Sequence, residues 1–130
     1  MTETEFKERT KGIALRVIRL VEALPNDRTS VVLGRQLLRS ATSIGANYRA
    51  ACRGKSTADV INKLAIVEEE GDESLYWLEL LAGAGALPEG KMTVLYKDID
   101  EIVAMTVASI KTLRSRDPKS KIQNPKSRND

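Results

Sequence analysis

The sequence predicts an all-α protein: an up-and-down antiparallel four-helix bundle with short loops and a disordered basic C-terminal tail. Three observations carry that expectation. Apolar residues recur at 4,3 spacing along four long segments, the mark of helices that turn one stripe toward a common core. Pro and Gly are sparse before the tail except at residues 25–29 and 84–90, so few helix breakers interrupt those segments. The segments lie close together in the chain, and short connections between long helices favour antiparallel neighbours. The bundle is expected over residues 1–115 and the tail over 116–130.

The first helix is expected at about residues 4–24, with Phe6, Thr10, Ile13, Val17, Leu20 and Leu24 as its seam. Leu24-Pro25-Asn26 ends it, because the residue before a proline is pushed out of helical geometry. The second runs from about Thr29 to Arg53, with Leu33, Leu37, Ser40, Ile44, Asn47 and Ala51 inward and Gly54 at its end. The third opens at Ser56-Thr57-Ala58-Asp59, a capping box with Asp in place of the usual Glu or Gln. Its seam is Val60, Leu64, Val67, Gly71, Ser74, Leu78 and Leu81, and GAGALPEG breaks it. The fourth begins near Pro88, a good first-turn residue, with a stripe of Met92, Tyr96, Ile99, Val103, Thr106, Ile110 and Leu113. Its acids lie early and Lys111 and Arg114 late, in accord with the helix dipole.

Composition excludes several functions. One cysteine, Cys52, permits no intramolecular disulfide and points to a reducing cytoplasm. The charged start MTETEFKERTKG does not read as a secretory signal, and the longest apolar run, broken by Glu79, is too short to span a bilayer. There is no histidine, so the usual acid/base switch and the commonest metal ligand are missing, and no cofactor or metal is expected. Net charge is +3; residues 116–130 hold five basic residues, Lys119 and Lys121 among them, against two acids, and so carry all of it.

The second helix poses the functional question. On a wheel of about 100° per residue its seam, with the polar Ser40 and Asn47 and with Ser43 beside them, lies opposite Arg35, Arg39, Arg49 and Arg53, which fall within roughly 80° of one another. From Thr29 to Lys55 there are five basic residues and no acid. The third helix is the counterpart, with seven acids against Lys63 between Ser56 and Ala84. Besides its core seam it carries a second one of Ile66, Glu70, Glu73, Trp77 and Leu80. The arginine stripe and this second seam are expected to meet, within one chain or between identical chains, with Arg39 held by Glu70 or Glu73. Small Ser40, Gly71 and Ser74 would let helices approach closely.

The same residues carry a resemblance. QLLRSATSIGANYRAACRGKS followed by KLAIVEEEGDESLYWLELL resembles the bacterial four-helix-bundle family of 23S rRNA intervening-sequence proteins. The matching positions are Arg39, Ser40, Ser43, Ile44, Asn47, Ser56, Glu70, Glu73, Tyr76, Trp77 and Leu78, within residues 33–81. Gly71, where the family often has alanine, and Glu68, where an apolar residue is common, depart from the pattern. The resemblance implies a ring-like homo-oligomer, typically a pentamer, and no established catalytic residue. It also implies a distant kinship with the accessory protein of diversity-generating retroelements, which binds nucleic acid and a reverse transcriptase.

Two functions follow as expectations. The first is a non-catalytic oligomer that binds RNA or DNA backbone through Arg35, Arg49, Arg53, Lys55, Lys119 and Lys121, with little sequence reading because aromatics are scarce. The second is a structural or protein-interaction scaffold, in which the stripe and the second seam, Arg39, Ile66, Glu70, Glu73, Trp77 and Leu80, serve subunit contacts. An enzyme is the weakest reading: the carboxylates Glu70, Glu73, Glu22, Asp98 and Glu101 have no histidine partner, and Cys52, though near Arg49, Arg53 and Lys55, reads better as a small packed thiol.

Overall fold

The computed structural model describes residues 1–116; the tail positions Lys119 and Lys121 lie outside them. Four helices fill the described chain: α1 Glu3–Glu22, α2 Arg28–Cys52, α3 Thr57–Gly83 and α4 Glu89–Arg116. Their starts are chemically marked. Thr2 accepts from the Glu5 amide, Asp27 from the Ser30 amide at 2.9 Å, and Ser56 from the Asp59 amide at 3.1 Å. Each side-chain oxygen satisfies an amide that the first helical turn leaves unpaired. The Asp59 carboxylate reaches back to the Lys55 amide at 3.1 Å, so the shortened capping box closes one residue further out than a Glu would. At the end of α3, Gly85 takes φ +78°, the Ala86 amide donates to the Leu81 carbonyl and the Gly85 amide to that of Ala82. That paired arrangement needs a left-handed residue, which glycine adopts without a Cβ clash.

Cross-helix pairs fix the topology. Phe6 stacks near Tyr48 and Thr10 lies against Gly45; Ser40 bonds Ser74; Glu79 bonds Tyr96; Arg16 bonds Asp98. Moving up one helix means moving down the next in every case, so neighbours are antiparallel and α4 returns beside α1. Ile13, Val17, Leu37, Ile44, Val67, Leu78, Leu81, Ile99 and Ile102 are fully buried in one continuous aliphatic core. Burying each such side chain stabilises the fold by roughly 1.5–3 kcal/mol before entropy is counted. A smaller cluster of Ala51, Ile61, Leu64 and Ile110 closes the end where α2 passes into α3.

The seams of α1–α3 fall largely where periodicity puts them, though Leu20, Leu24, Leu33, Asn47 and Val60 are only half-buried. Helix α4 differs. Its buried positions are Leu95, Ile99, Ile102, Thr106 and Ile110, whereas Met92, Tyr96, Val103 and Leu113 are half-buried. The apolar face of α4 is wide enough for either stripe, and partners on both sides set its rotation. Tyr96 turns toward α3, where its hydroxyl donates to Glu79 at 2.7 Å, and Asp98 and Glu101 turn toward α1. Val103 lies against α3 at Gly71, where a Cβ would stand 2.5 Å from its Cγ2. Leu95 and Ile102 are left at the centre.

Candidate nucleic-acid interface

Helix α2 has no acid along its length, and the structure explains how it carries hydroxyls and an amide on an inward stripe. Each polar group is satisfied locally: Ser40 donates to the Leu37 carbonyl at 3.2 Å, Ser43 to that of Arg39 at 2.7 Å, and the Asn47 amide to that of Ser43 at 2.9 Å. Ser74 Oγ sits 2.8 Å from both Ser40 Oγ and the Glu70 carbonyl, joining α2 to α3 through two side chains of minimal bulk. Among the described residues no buried side-chain polar atom lacks a partner. The buried part of the polar seam, Ser40 and Ser74, is therefore a close-packing device whose hydrogen bonds are made within the protein.

The opposite side of α2 is divided between one committed arginine and several free ones. Arg39 reaches across to α3, where its guanidinium takes Glu70 at 3.1 Å and Glu73 beside it. The Trp77 indole N–H donates to the same Glu73 carboxylate at 3.3 Å. Glu70 keeps only 15% of its side chain exposed, whereas Arg39 keeps 51%, so the pair is a rim contact over a partly desolvated acid. Within this chain, then, the stripe meets the second seam through Arg39, while the other three arginines make no ion pair among the described residues. Ile66, Trp77 and Leu80 lie half-buried along the same edge, and Tyr76 is 54% exposed with its ring 5.4 Å from that of Trp77. By contrast Arg35, Arg49, Arg53 and Lys55 are exposed, and none has a carboxylate within 4 Å among the described residues. Arg35 and Arg49 face solvent from α2, Arg53 caps its end and Lys55 follows in the turn to α3.

Sequence reasoning missed a second set of arginines. On the α1–α4 side Arg9 binds Glu101 at 2.5 Å and Asp98 at 3.3 Å, with Met105 Sδ 3.8 Å away, and Arg16 binds Asp98 at 2.5 Å. The Arg16 hydrogen bond, with Arg9 beside it, holds the Asp98 carboxyl below its usual range, and the Glu101 bond raises the Arg9 guanidinium further. A signal was present: Arg9 and Arg16 are seven apart and Asp98 and Glu101 three apart, spacings that put each pair on one helix face.

The acids weighed for catalysis sit at separate seams. Glu70 and Glu73 are held by Arg39 at one seam, and Asp98 and Glu101 by Arg9 and Arg16 at another, so these carboxylates do not converge. Among the described residues no group of three His, Cys, Asp or Glu is placed to hold a metal. Burial pushes the Cys52 thiol up, with Glu3 adding to the rise and Tyr48 and Lys7 only partly opposing it, whereas the basic neighbours in sequence would have lowered it. Burial likewise raises the neighbouring Tyr48. No helix among the described residues is long and apolar enough to cross a membrane.

Comparison with known proteins gives two positive findings. A family model described as 23S rRNA-intervening sequence protein matches residues 2–108. A crystal structure from Bacteroides thetaiotaomicron VPI-5482, of a protein with unknown function from the S23 ribosomal protein family, is 37% identical in sequence. The two superpose with a TM-score of 0.79, over 85% of this chain and 99% of the other. No curated protein matches.

Proposed function

The chain belongs to the 23S rRNA-intervening sequence protein family, and from that premise we propose that it is a non-catalytic, cytoplasmic homo-oligomer that binds RNA or DNA backbone. The observation that carries this reading is a set of exposed cations with no carboxylate within 4 Å among the described residues: Arg35 and Arg49 on the acid-free helix α2, Arg53 at its C-cap and Lys55 in the turn that follows. Guanidinium forks suit phosphate oxygens, and three or four such contacts per subunit are weak alone. Repetition around an oligomer multiplies them through effective concentration. Fixed cations without base-reading geometry give affinity with little sequence preference.

The test is fluorescence anisotropy with a labelled 30-nucleotide RNA and its DNA counterpart across a salt series. Binding that weakens as log[salt] rises, with a slope near −2 to −3 per subunit engaged, is expected from the single-strand rule of about −0.7 per phosphate contact. The triple substitution Arg35→Glu, Arg49→Glu, Arg53→Glu abolishes it. Salt-independent binding, or a triple variant that binds like wild type, overturns the reading.

A second reading is favoured by a different observation. Val32 is 52% exposed on α2 and Tyr76 54% on α3, flanking the edge where Arg39 meets Glu73. In a scaffold that edge would be covered by a neighbouring subunit, with Trp77 and Tyr76 as anchors. Native mass by light scattering tests it. Loss of the oligomer in Tyr76→Glu, with nucleic-acid affinity falling to the weak level of a single subunit, assigns the edge to subunit contacts. An unchanged native mass overturns the scaffold reading.

A further inference from the structure

The α1–α4 seam opens at one end into a cleft of about 340 Å³, between the last turns of α1 and the turn leading into α4. The volume lies at the low end of the range for small-molecule sites. Its floor is aliphatic, with Leu20, Leu24 and Leu87 among the lining residues, and its rim holds Arg16, Arg19 and Lys91. No acid lines it. Arg16 is already engaged by Asp98 at 2.5 Å, so the lattice of Arg9, Arg16, Asp98 and Glu101 balances its own charge. Arg19 and Lys91 are exposed and have no carboxylate within 4 Å among the described residues, which leaves two cations over an apolar floor.

We propose that this cleft binds a small soluble phosphate monoester with an apolar body. Charge selects the class. A phosphate monoester is close to a dianion at neutral pH and matches the two uncommitted cations, while its organic group covers Leu20, Leu24 and Leu87. The cleft's cations, Arg19 and Lys91, are not among those proposed to meet nucleic acid, so variants at the two sets test the two readings separately.

The experiment is a titration of the full chain, isotope-labelled at leucine methyls, with phenyl phosphate, followed by ¹H–¹³C NMR. Saturable shifts at Leu20, Leu24 and Leu87, with Leu37 and Leu78 still, are the expected result. Benzyl alcohol, which lacks the charge, leaves the methyls unmoved, and inorganic phosphate, which lacks the body, binds at least roughly tenfold more weakly. The double variant Arg19→Glu, Lys91→Glu alters two exposed side chains and keeps the helical circular dichroism, yet loses the phenyl phosphate shifts. Four results would each overturn the proposal: no saturable shift; equal affinity for inorganic phosphate; shifts that survive in the double variant; or capture only by vesicles of phosphatidic acid in phosphatidylcholine.

Discussion

The α2–α3 seam and the α1–α4 seam solve the same packing problem in opposite ways. Between α2 and α3, small Ser40 and Ser74 meet at 2.8 Å, and large aliphatics such as Leu37, Val67 and Leu78 fill the space around them. Arg39 lies outside that contact as a clasp on the rim. Between α1 and α4 the bridging is done by long side chains, with Arg9 and Arg16 spanning to Asp98 and Glu101. Clefts of about 340 and 310 Å³ lie at either end of that lattice. Small side chains bring helix axes together and bury area; long charged ones tolerate a gap and bridge it. The first seam draws its stability from burial and close contact, the second from electrostatics that water and salt reach.

Substitutions can break that contrast or sharpen it. The largest effect belongs to the dry seam: Leu37→Ala should cost about 2–5 kcal/mol in urea unfolding, because it removes a fully buried side chain and leaves a cavity. Two glycines come next. Gly71→Ala should destabilise by about 1–2 kcal/mol despite alanine's better helix propensity, since its Cβ would lie 2.5 Å from Val103 Cγ2. Gly12, on α1, has nothing within 4 Å of its would-be Cβ, so Gly12→Ala should stabilise by roughly 0.5–1 kcal/mol. Pairing Gly71→Ala with Val103→Ala should recover most of the loss if the clash is its cause.

Smaller effects separate the charges. Arg39→Ala should lower stability by roughly 0.5–1 kcal/mol, the scale of a half-exposed pair, and alter Trp77 emission by freeing Glu73. Joint replacement of Arg9 and Arg16 by alanine should cost a similar amount at low salt and almost nothing at about 1 M salt, where the Debye length is near 3 Å. Equal costs at both salt levels would put the α1–α4 seam in the same class as α2–α3. Acid titration probes it further. The folded-state pKa of Asp98 is depressed, so its contribution is present above the unfolded carboxylate range and lost as pH falls through the folded value. Asp98→Asn should therefore flatten the decline in stability below about pH 4. At the alkaline end the Glu79 hydrogen bond pushes Tyr96 up to about 12, so its contribution is whole below the usual tyrosine value and fades as pH rises toward 12. Tyr96→Phe should remove that alkaline slope.

The sequence made the helices legible almost to their ends, because caps are local chemistry. The Ser56 cap is readable in the sequence, and the ends at Glu22 and Cys52 fall within two residues of the expected ones, whereas the Thr2 and Asp27 caps, of the same short polar kind, emerge only in the structure. The Arg39 partnership was legible too, since an acid-free helix beside an acid-rich one leaves few ways to balance charge. The rotation of α4 was not. Leu95, Tyr96, Ile102 and Val103 are all apolar enough to face inward, and the choice among them rests on Glu79 from α3 and Arg9 and Arg16 from α1, none of which is near in sequence. The lattice stayed hidden for the same reason: its residues lie in mixed-charge stretches, where a partner is fixed only once two rotations are known.

The α1–α4 lattice also joins the two ends of the chain. Arg9 and Asp98 are 89 residues apart, whereas Ser40 and Ser74 are 34 apart and Glu79 and Tyr96 only 17. Closing the longer loop costs more chain entropy, so the hairpins α2–α3 and α3–α4 have the shorter route to assembly. Docking of α1 on α4 is therefore expected to come late in folding. Changes at Arg9 or Arg16 should speed unfolding and leave the folding rate nearly constant, with φ-values near zero, while Leu37 and Leu78 carry the higher ones.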